Sequence, residues 1–315
     1  MFIYISETWY AGSNQVLEIL CEFGFREIRC DDAGDIMEIS NYVTKHYNEN
    51  LVMRGELTLE DLEILEKRPF FVHLALDAAI SLRFERYKAT HLGADLEQFV
   101  ARHDSRIAER TYKPQLWDRA HIKIFISRKA DFERRLVEEL RGILTVAAHG
   151  KNFRDASHTT TPLRPDWDAY FMKLATLAAS RSNCMKRRVG CVVVRECRVI
   201  ATGYNGTPRH LVNCHAGGCP RCNNGDVQLS TCLCLHAEEN ALLEAGRDRV
   251  GVNAILYCDT CPCLTCSVKI VQTGIREVVY SKSYNMDEAS FKVLQEGGVL
   301  VRQLSVPAEP MHIIV

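Results

Sequence analysis

The stretch that decides the fold runs from HAE at positions 236–238, through 23 further residues, to PCLTC at positions 262–266. Cys263 and Cys266 are three residues apart, so both sulfurs lie on one face of a helix's first turn, where the helix dipole favours thiolates. The imidazole of His236 and the two thiolates would occupy three corners of a tetrahedral zinc site. The fourth corner stays open, as a catalytic zinc requires.

Glu238 lies about 200° round an ideal helix from His236, so it is poorly placed to share the metal. It fits better as a proton-transferring base beside the metal. The order H-x-E followed by P-C-x-x-C is the signature of zinc deaminases, in which the Glu shuttles protons and is not a ligand. A lone Cys-x-x-Cys pair would leave a zinc finger, a redox pair or a zinc-held interaction module open. Such a module has no use for the carboxylate of Glu238.

The sequence around these motifs predicts helices and strands in the order α-β-β-α-β-α-β-α-β. Asp166 is the predicted N-cap of the first helix, and the two runs that follow it are close enough to form a hairpin. Gly246 and Gly274 are predicted to end the helices that carry the motifs. The predicted strands are 189–194, 198–203, 254–258, 277–281 and 299–304, and the later helices are 236–245, 263–273 and 287–296.

Residues 165–305 resemble the deoxycytidylate (dCMP) deaminase family, and the match to its fungal members is close. The segments that carry the resemblance are RPDWDAYFM at 164–172, GYNG at 203–206, the HAE and PCLTC motifs, and Tyr284. The resemblance implies a three-layer α/β/α fold with a five-stranded mixed sheet. It also implies the hydrolysis of dCMP to dUMP and ammonia, which supplies dUMP for thymidylate synthesis.

The same resemblance implies roles for particular residues. Glu238 would take a proton from the zinc water and deliver it to N3 of the cytosine. Substrate contacts are expected from Asn205, and from Arg181 and Tyr284 near the phosphate and the ring. The enzyme is expected to be a homo-oligomer, a hexamer, activated by dCTP and inhibited by dTTP. The expected effector contacts are Gly203, Tyr204 and Gly206.

Twelve of the 14 cysteines crowd between positions 184 and 266, which in a reducing compartment points to metal binding rather than disulfides. The family resemblance implies a second zinc near Cys184 and Cys234. The cofactors expected are therefore one catalytic Zn²⁺ and one or more structural ones. The preferred structural ligands are Cys184, Cys219, Cys222 and Cys234. Alternative sets use Cys214, His215 or Cys232.

The N-terminal half is predicted to be a separate α/β domain at residues 1–150, joined by a linker at 151–164 to a deaminase domain at 165–315. Short β-rich runs alternate with helical patterns, which indicates βαβ units. The loop after the first run resembles a degenerate P-loop of a nucleoside-monophosphate kinase. Gly12 stands where the second loop glycine would be, but the first glycine and the lysine are absent. A regulatory or assembly module is expected rather than a working kinase.

Composition narrows the class of function. The 315 residues carry 39 basic and 40 acidic side chains, which disfavours a nucleic-acid partner and with it a cytidine or adenosine deaminase acting on tRNA or single-stranded nucleic acid. No apolar run approaches the roughly 18 residues that span a bilayer, so no membrane association is expected. The N-terminal MFIYISETWY lacks the features of a signal peptide. A cytoplasmic location is expected, with a nuclear pool as the alternative.

Overall fold

The structure is a computed structural model that describes residues 1–28, 35–108, 114–127, 132–148, 163–224, 232–283, 288–305 and 311–315. The strands are β1 (Phe2–Glu7), β2 (Arg26–Ile28), β3 (Leu51–Arg54), β4 (Phe71–Ala78), β5 (Ile122–Ile126), β6 (Gly190–Arg195), β7 (Arg198–Tyr204), β8 (Ile255–Thr260), β9 (Glu277–Lys282), β10 (Leu300–Gln303) and β11 (Met311–Ile314). The helices are α1 (Ser13–Glu22), α2 (Ile36–Lys45), α3 (Leu59–Glu66), α4 (Ile80–Thr90), α5 (Leu96–Ala108), α6 (Pro114–Arg119), α7 (Phe132–Ala148), α8 (Trp167–Ala179), α9 (Pro220–Asn224), α10 (Ala237–Val250), α11 (Leu264–Thr273) and α12 (Glu288–Glu296).

The chain divides into two compact units, and the first contains Met1–Arg164 together with Pro307–Val315. Its six strands form a sheet in the order β11-β5-β4-β1-β3-β2, with every neighbouring pair parallel. Phe2 and Tyr4 enter one hydrophobic cluster, while Ile3 and Ile5 enter another. Since alternate residues of a strand point to opposite faces, β1 is covered on both sides. The predicted parallel α/β architecture is confirmed for this unit, whereas its relation to a kinase stays a prediction.

The C-terminal residues correct the predicted domain boundary. We expected the deaminase domain to continue to residue 315, but Met311–Ile314 pairs in parallel with Ile122–Ile126 and extends the first unit's sheet. The reason is that the outer side of β5 offers unpaired backbone groups, which β11 satisfies. Most of the predicted linker at 151–164 lies outside the described residues.

The second unit, Pro165–Val306, carries a five-stranded mixed sheet in the order β10-β9-β8-β6-β7. Strand β6 is antiparallel to both of its neighbours, and β8, β9 and β10 run parallel. Helix α8 covers one face through Phe171 and Met172, and α10 and α11 cover the other through residues such as Ala241 and Ile270. This arrangement confirms the expected three-layer α/β/α fold. Among the described residues, no helix is both long and apolar enough to cross a membrane.

Two glycines allow this unit's helices to approach the sheet closely. A Cβ at Gly190 would lie 1.9 Å from the carbonyl oxygen of Ala175 in α8. A Cβ at Gly203 would lie 2.1 Å from the carbonyl oxygen of Ala237, the first residue of α10. Any side chain at position 203 would therefore move the start of the helix that carries the HAE motif.

Candidate functional site

The first half of the site is the start of α10. His236 is the N-cap of this helix and has extended backbone angles. Its neighbour Leu235 exchanges backbone hydrogen bonds with Gly206, at 2.9 and 3.2 Å. The backbone N–H of His236 donates to the Oε2 of Glu239, at 2.9 Å. The backbone at His236 is thereby held from both sides. The helix kinks at Gly246, where we predicted its end, and continues to Val250.

The second half is the start of α11, where Cys263 is the N-cap and Cys266 lies in the first turn. The Sγ atoms of Cys263 and Cys266 lie 3.3 and 3.4 Å from the Nδ1 of His236. In a tetrahedral zinc site with ordinary Zn–N and Zn–S bonds, a nitrogen and a sulfur are about 3.6 Å apart. The three predicted ligands therefore converge at a spacing that fits zinc. They leave one coordination position for a further ligand.

Glu238 lies beside these ligands, with 4% of its surface exposed. Burial of the carboxyl group raises its pKa to about 7. A hydrogen bond with Cys266 lowers the pKa of the Cys263 thiol to about 3, with a further contribution from His236. The site therefore offers a thiolate ligand next to a carboxyl group able to exchange a proton near neutral pH.

Sequence reasoning missed two residues that support this site. Glu239, which accepts the N–H of His236, also forms an ion pair with Lys269 of α11. This pair links the first turn of α10 to the middle of α11, the two helices whose starts carry the proposed metal ligands. The available signal was a Glu three residues after the N-cap, which is the pattern of a capping box. Its pairing with Lys269 joins residues 30 positions apart and has no local sequence signal.

Asn205, the predicted substrate contact, is 8% exposed and fixes a loop. Its Oδ1 accepts from the backbone N–H of Val189, and its Nδ2 donates to the carbonyl oxygen of Arg187, both at 2.8 Å. Arg187 in turn donates from Nη2 to the Oγ1 of Thr260, at 2.8 Å. Thr260 ends β8, two residues before Pro262. Asn205 therefore positions the basic loop next to the metal motif, and direct nucleotide contact stays a prediction.

The predicted effector residues pack against α10 or against segments beside it. The N–H of Gly206 is bonded to Leu235, and a Cβ at Gly206 would lie 2.4 Å from the Oδ1 of Asn183. The carbonyl oxygen of Tyr204 accepts from the Nδ2 of Asn240. These glycines therefore have packing roles that the sequence analysis did not assign.

Of the two residues expected to contact the phosphate and the ring, the structure describes only Arg181. Arg181 is exposed just after α8, and Tyr284 lies outside the described residues. An open groove has a cavity volume of about 470 Å³. It is lined by His215 and by residues 182–188, which come directly after Arg181 in the chain. Lys186 and Arg188 are exposed on this groove. The structure thus places a basic surface beside the loop that Asn205 fixes.

The cysteines expected to hold a structural metal lie together, but in a different grouping. Sulfur atoms within 4.8 Å of one another form two sets, which are Cys184, Cys214, Cys222, Cys234 and Cys219, Cys222, Cys232, Cys234. Our preferred set combined Cys184 with Cys219, and the structure assigns these two residues to different sets. Cys214 and Cys232, named as alternatives, each complete one set. His215 is exposed and belongs to neither.

The chain is similar to known deaminases in both sequence and family-model comparisons. Residues 165–282 match the family described as the cytidine and deoxycytidylate deaminase zinc-binding region. The chain is 54% identical to the deoxycytidylate deaminase of Saccharomyces cerevisiae, over 100% of both chains. It is 49% identical to that of Schizosaccharomyces pombe, over 87% of this chain and 83% of the relative. The structure of a cyanophage S-TIM5 dCMP deaminase in complex with dCMP and dUMP is 31% identical and covers 45% of this chain and 99% of that chain, with a TM-score of 0.38.

Proposed function

The chain belongs to the deoxycytidylate deaminase family and catalyses the deamination of dCMP. We propose that His236, Cys263 and Cys266 bind its catalytic zinc and that Glu238 transfers the protons. The reaction consumes dCMP and water and yields dUMP and ammonia. We propose that the dUMP supplies thymidylate synthesis.

One observation carries this assignment. The sulfurs of Cys263 and Cys266 lie 3.3 and 3.4 Å from the Nδ1 of His236. The buried carboxyl group of Glu238 is two residues further along the chain. A purely structural zinc site uses four protein ligands, whereas this set supplies three. The carboxyl group of Glu238 beside a set of only three ligands therefore favours a catalytic zinc site over a structural one.

When bound here, zinc supplies a polarised water at neutral pH. Glu238 accepts a proton from the attacking water and delivers it to N3 of the cytosine ring as oxygen bonds to C4. The same carboxyl group then takes the proton of the new C4 hydroxyl group and passes it to the exocyclic amine, so that the C4–N bond breaks, the C4 carbonyl forms and ammonia leaves. Burial of Glu238 keeps bulk water from competing for these protons.

Replacing Glu238 with Gln tests this role. The amide has nearly the same shape but cannot carry the proton, so we expect kcat to fall by about 10²- to 10⁴-fold. The bound zinc should be retained, as measured by metal analysis of the same sample. Glu244→Gln, at an exposed position of the same helix, is the matched control and should keep full activity. Undiminished turnover by the Glu238 variant would contradict the mechanism.

We propose that the basic groove recognises the substrate phosphate. Lys186 and Arg188 are the exposed cations on it, and Arg181 and Tyr284 remain proposed contacts to phosphate and ring. A charge-assisted hydrogen bond contributes about 1.5–3 kcal/mol, so Arg188→Ala should raise the KM for dCMP about 10- to 150-fold with little change in kcat. Deoxycytidine, which has no phosphate, should be turned over equally by the variant and the wild type. A proportional loss for both substrates would contradict phosphate recognition.

Feedback control and assembly also belong to the proposal. We infer activation by dCTP and inhibition by dTTP in a homohexamer, and Gly203, Tyr204 and Gly206 remain the proposed effector loop. Because the N–H of Gly206 is bonded to Leu235, effector binding there would have to open this pair. Saturation curves for dCMP with and without each nucleotide test the control, and sedimentation of the full chain tests the assembly. Saturation curves that superimpose with and without the nucleotides would contradict the proposed control, and a monomer in sedimentation would contradict the proposed assembly.

A further inference from the structure

Six cysteine sulfurs form one cluster outside the catalytic site, namely Cys184, Cys214, Cys219, Cys222, Cys232 and Cys234. They come from the segment after α8, a one-turn helix at 214–216, helix α9 with the residue before it, and the segment before α10. We propose that they hold two zinc ions as a dinuclear thiolate cluster in which Cys222 and Cys234 bridge the metals. This site takes no part in the proposed reaction.

The grouping of the sulfurs is that of two tetrahedra with a shared edge. Cys222 and Cys234 belong to both four-sulfur sets. Cys184 and Cys214 complete only the first set, and Cys219 and Cys232 complete only the second. Two separate sites would share no sulfur.

The sulfur separations match the edges of such tetrahedra. With Zn–S bonds of about 2.3 Å, two thiolates on one tetrahedral zinc are about 3.8 Å apart. In the second set, the sulfurs of Cys219 and Cys232 are 3.6 Å apart, as are those of Cys222 and Cys232. In the first set, Cys184 lies 4.0 Å from Cys222. The proposed shared edge, between Cys222 and Cys234, is also 4.0 Å.

A single zinc ion explains this cluster less well. One ion takes four sulfurs and leaves either Cys184 with Cys214 or Cys219 with Cys232 as a spare pair of thiols. Each spare pair, together with the shared sulfurs, still forms a complete set of four at coordination spacing. Two zinc ions use all six sulfurs and leave a net charge of −2, because the ions supply four positive charges and the thiolates six negative ones.

Protein contacts hold the two halves of the cluster in place. The side chain of Asn223 donates to the carbonyl oxygen of Cys214, at 2.8 Å, and accepts from the N–H of Cys219, at 3.2 Å. The N–H of Met185 donates to the sulfur of Cys214, at 3.4 Å, which stabilises a thiolate. Cys234 lies two residues before His236. The dinuclear cluster would thus anchor the segment that presents the catalytic imidazole.

Metal counting separates this proposal from the proposed catalytic site. The full chain, purified with a non-chelating reductant, should contain three zinc ions per chain. A variant with His236→Ala and Cys263→Ala keeps one catalytic ligand and should contain two, whether or not it is active. The exposed Cys197→Ser control should contain three. One zinc or fewer in the double variant would overturn the dinuclear cluster and leave the deaminase assignment untouched.

Cadmium-113 NMR tests the bridges directly. After zinc is exchanged for ¹¹³Cd in the double variant, two resonances in the thiolate region are expected, each split by coupling to the other through the shared sulfurs. A single resonance, or two without mutual splitting, would overturn the bridging. Thiol titration after unfolding in chelator should recover all six cluster cysteines as free thiols. A shortfall in pairs would show disulfides instead and would also overturn the proposal.

Discussion

Glu7 places a carboxylate where a phosphate-binding loop holds its anion. The backbone N–H groups of Gly12 and Ser13 donate to its Oε2, at 2.8 and 2.9 Å, and the Ser13 hydroxyl donates to its Oε1, at 2.5 Å. These amides lie at the start of α1, where a helix favours a negative charge. The loop that resembles a P-loop is therefore already occupied by the protein's own anion.

Replacing Glu7 with Gln should destabilise the protein. The amide keeps the shape but loses the charge and one acceptor, so we expect a loss of about 1–2 kcal/mol in the free energy of unfolding. Denaturant unfolding of the full chain measures it. Glu22→Gln, exposed at the other end of α1, is the control and should change little. Equal stability of the Glu7 variant and the wild type would contradict this role.

Asn205→Ala separates loop support from direct substrate contact. Asn205→Ala loses two partly buried hydrogen bonds, to the backbone of Val189 and of Arg187, at about 0.5–1.5 kcal/mol for each. We therefore expect the substrate-free protein to unfold at lower denaturant. If Asn205 served only the nucleotide, the KM for dCMP would rise while the stability of the free protein stayed unchanged.

At the scale of elements, the geometry of the proposed zinc site depends on how closely β7 approaches α10. Gly203 touches the first turn of α10, and the ion pair of Glu239 with Lys269 connects that turn to α11. His236 and Cys263 are each the N-cap of their helix, so small movements of the helix starts change the ligand spacing directly.

Gly203→Ala should therefore damage the site without touching a ligand. The added methyl group overlaps the backbone of Ala237, so we expect a loss of about 1–3 kcal/mol in stability together with weaker zinc binding. Competition with a zinc chelator and denaturant unfolding measure the two effects. Gly142→Ala is the control, because a Cβ there meets nothing within 4 Å in α7, and it should slightly stabilise the chain. Wild-type zinc affinity in the Gly203 variant would contradict the packing argument.

At the scale of the whole molecule, acid sensitivity is expected from a buried histidine of the first unit. His73 is fully buried on β4 and its Nε2 lies 2.7 Å from the hydroxyl oxygen of Ser6. Burial, with smaller contributions from His121, Arg119 and Lys123, lowers its pKa from 6.5 to about 3. Between these values the unfolded chain binds a proton that the folded chain excludes. Stability is therefore full above pH 6.5 and falls as the pH drops toward 3.

His73→Gln should remove this component. Between pH 7.5 and 5.5 the wild type should lose about 1.4 kcal/mol more unfolding free energy than the variant, since one pH unit below the unfolded pKa corresponds to that amount. Denaturant unfolding of the full chain at both pH values provides the comparison. Parallel losses in the two proteins would contradict the assignment.

The sequence by itself determined the features that are local along the chain. The HAE and PCLTC motifs predicted the three ligands of the proposed zinc site and Glu238 beside them, because an N-cap and the first turn of a helix have fixed geometry. The sequence patterns also predicted the order of helices and strands in the second unit, whereas its mixed sheet was implied by the family resemblance. Only the tertiary structure decided which distant residues meet, such as β11 with β5, Glu239 with Lys269, and Cys184 with Cys214 rather than Cys219. The physical reason is that packing and backbone pairing between remote segments fix these contacts. A local sequence pattern does not identify the distant segment that it will contact.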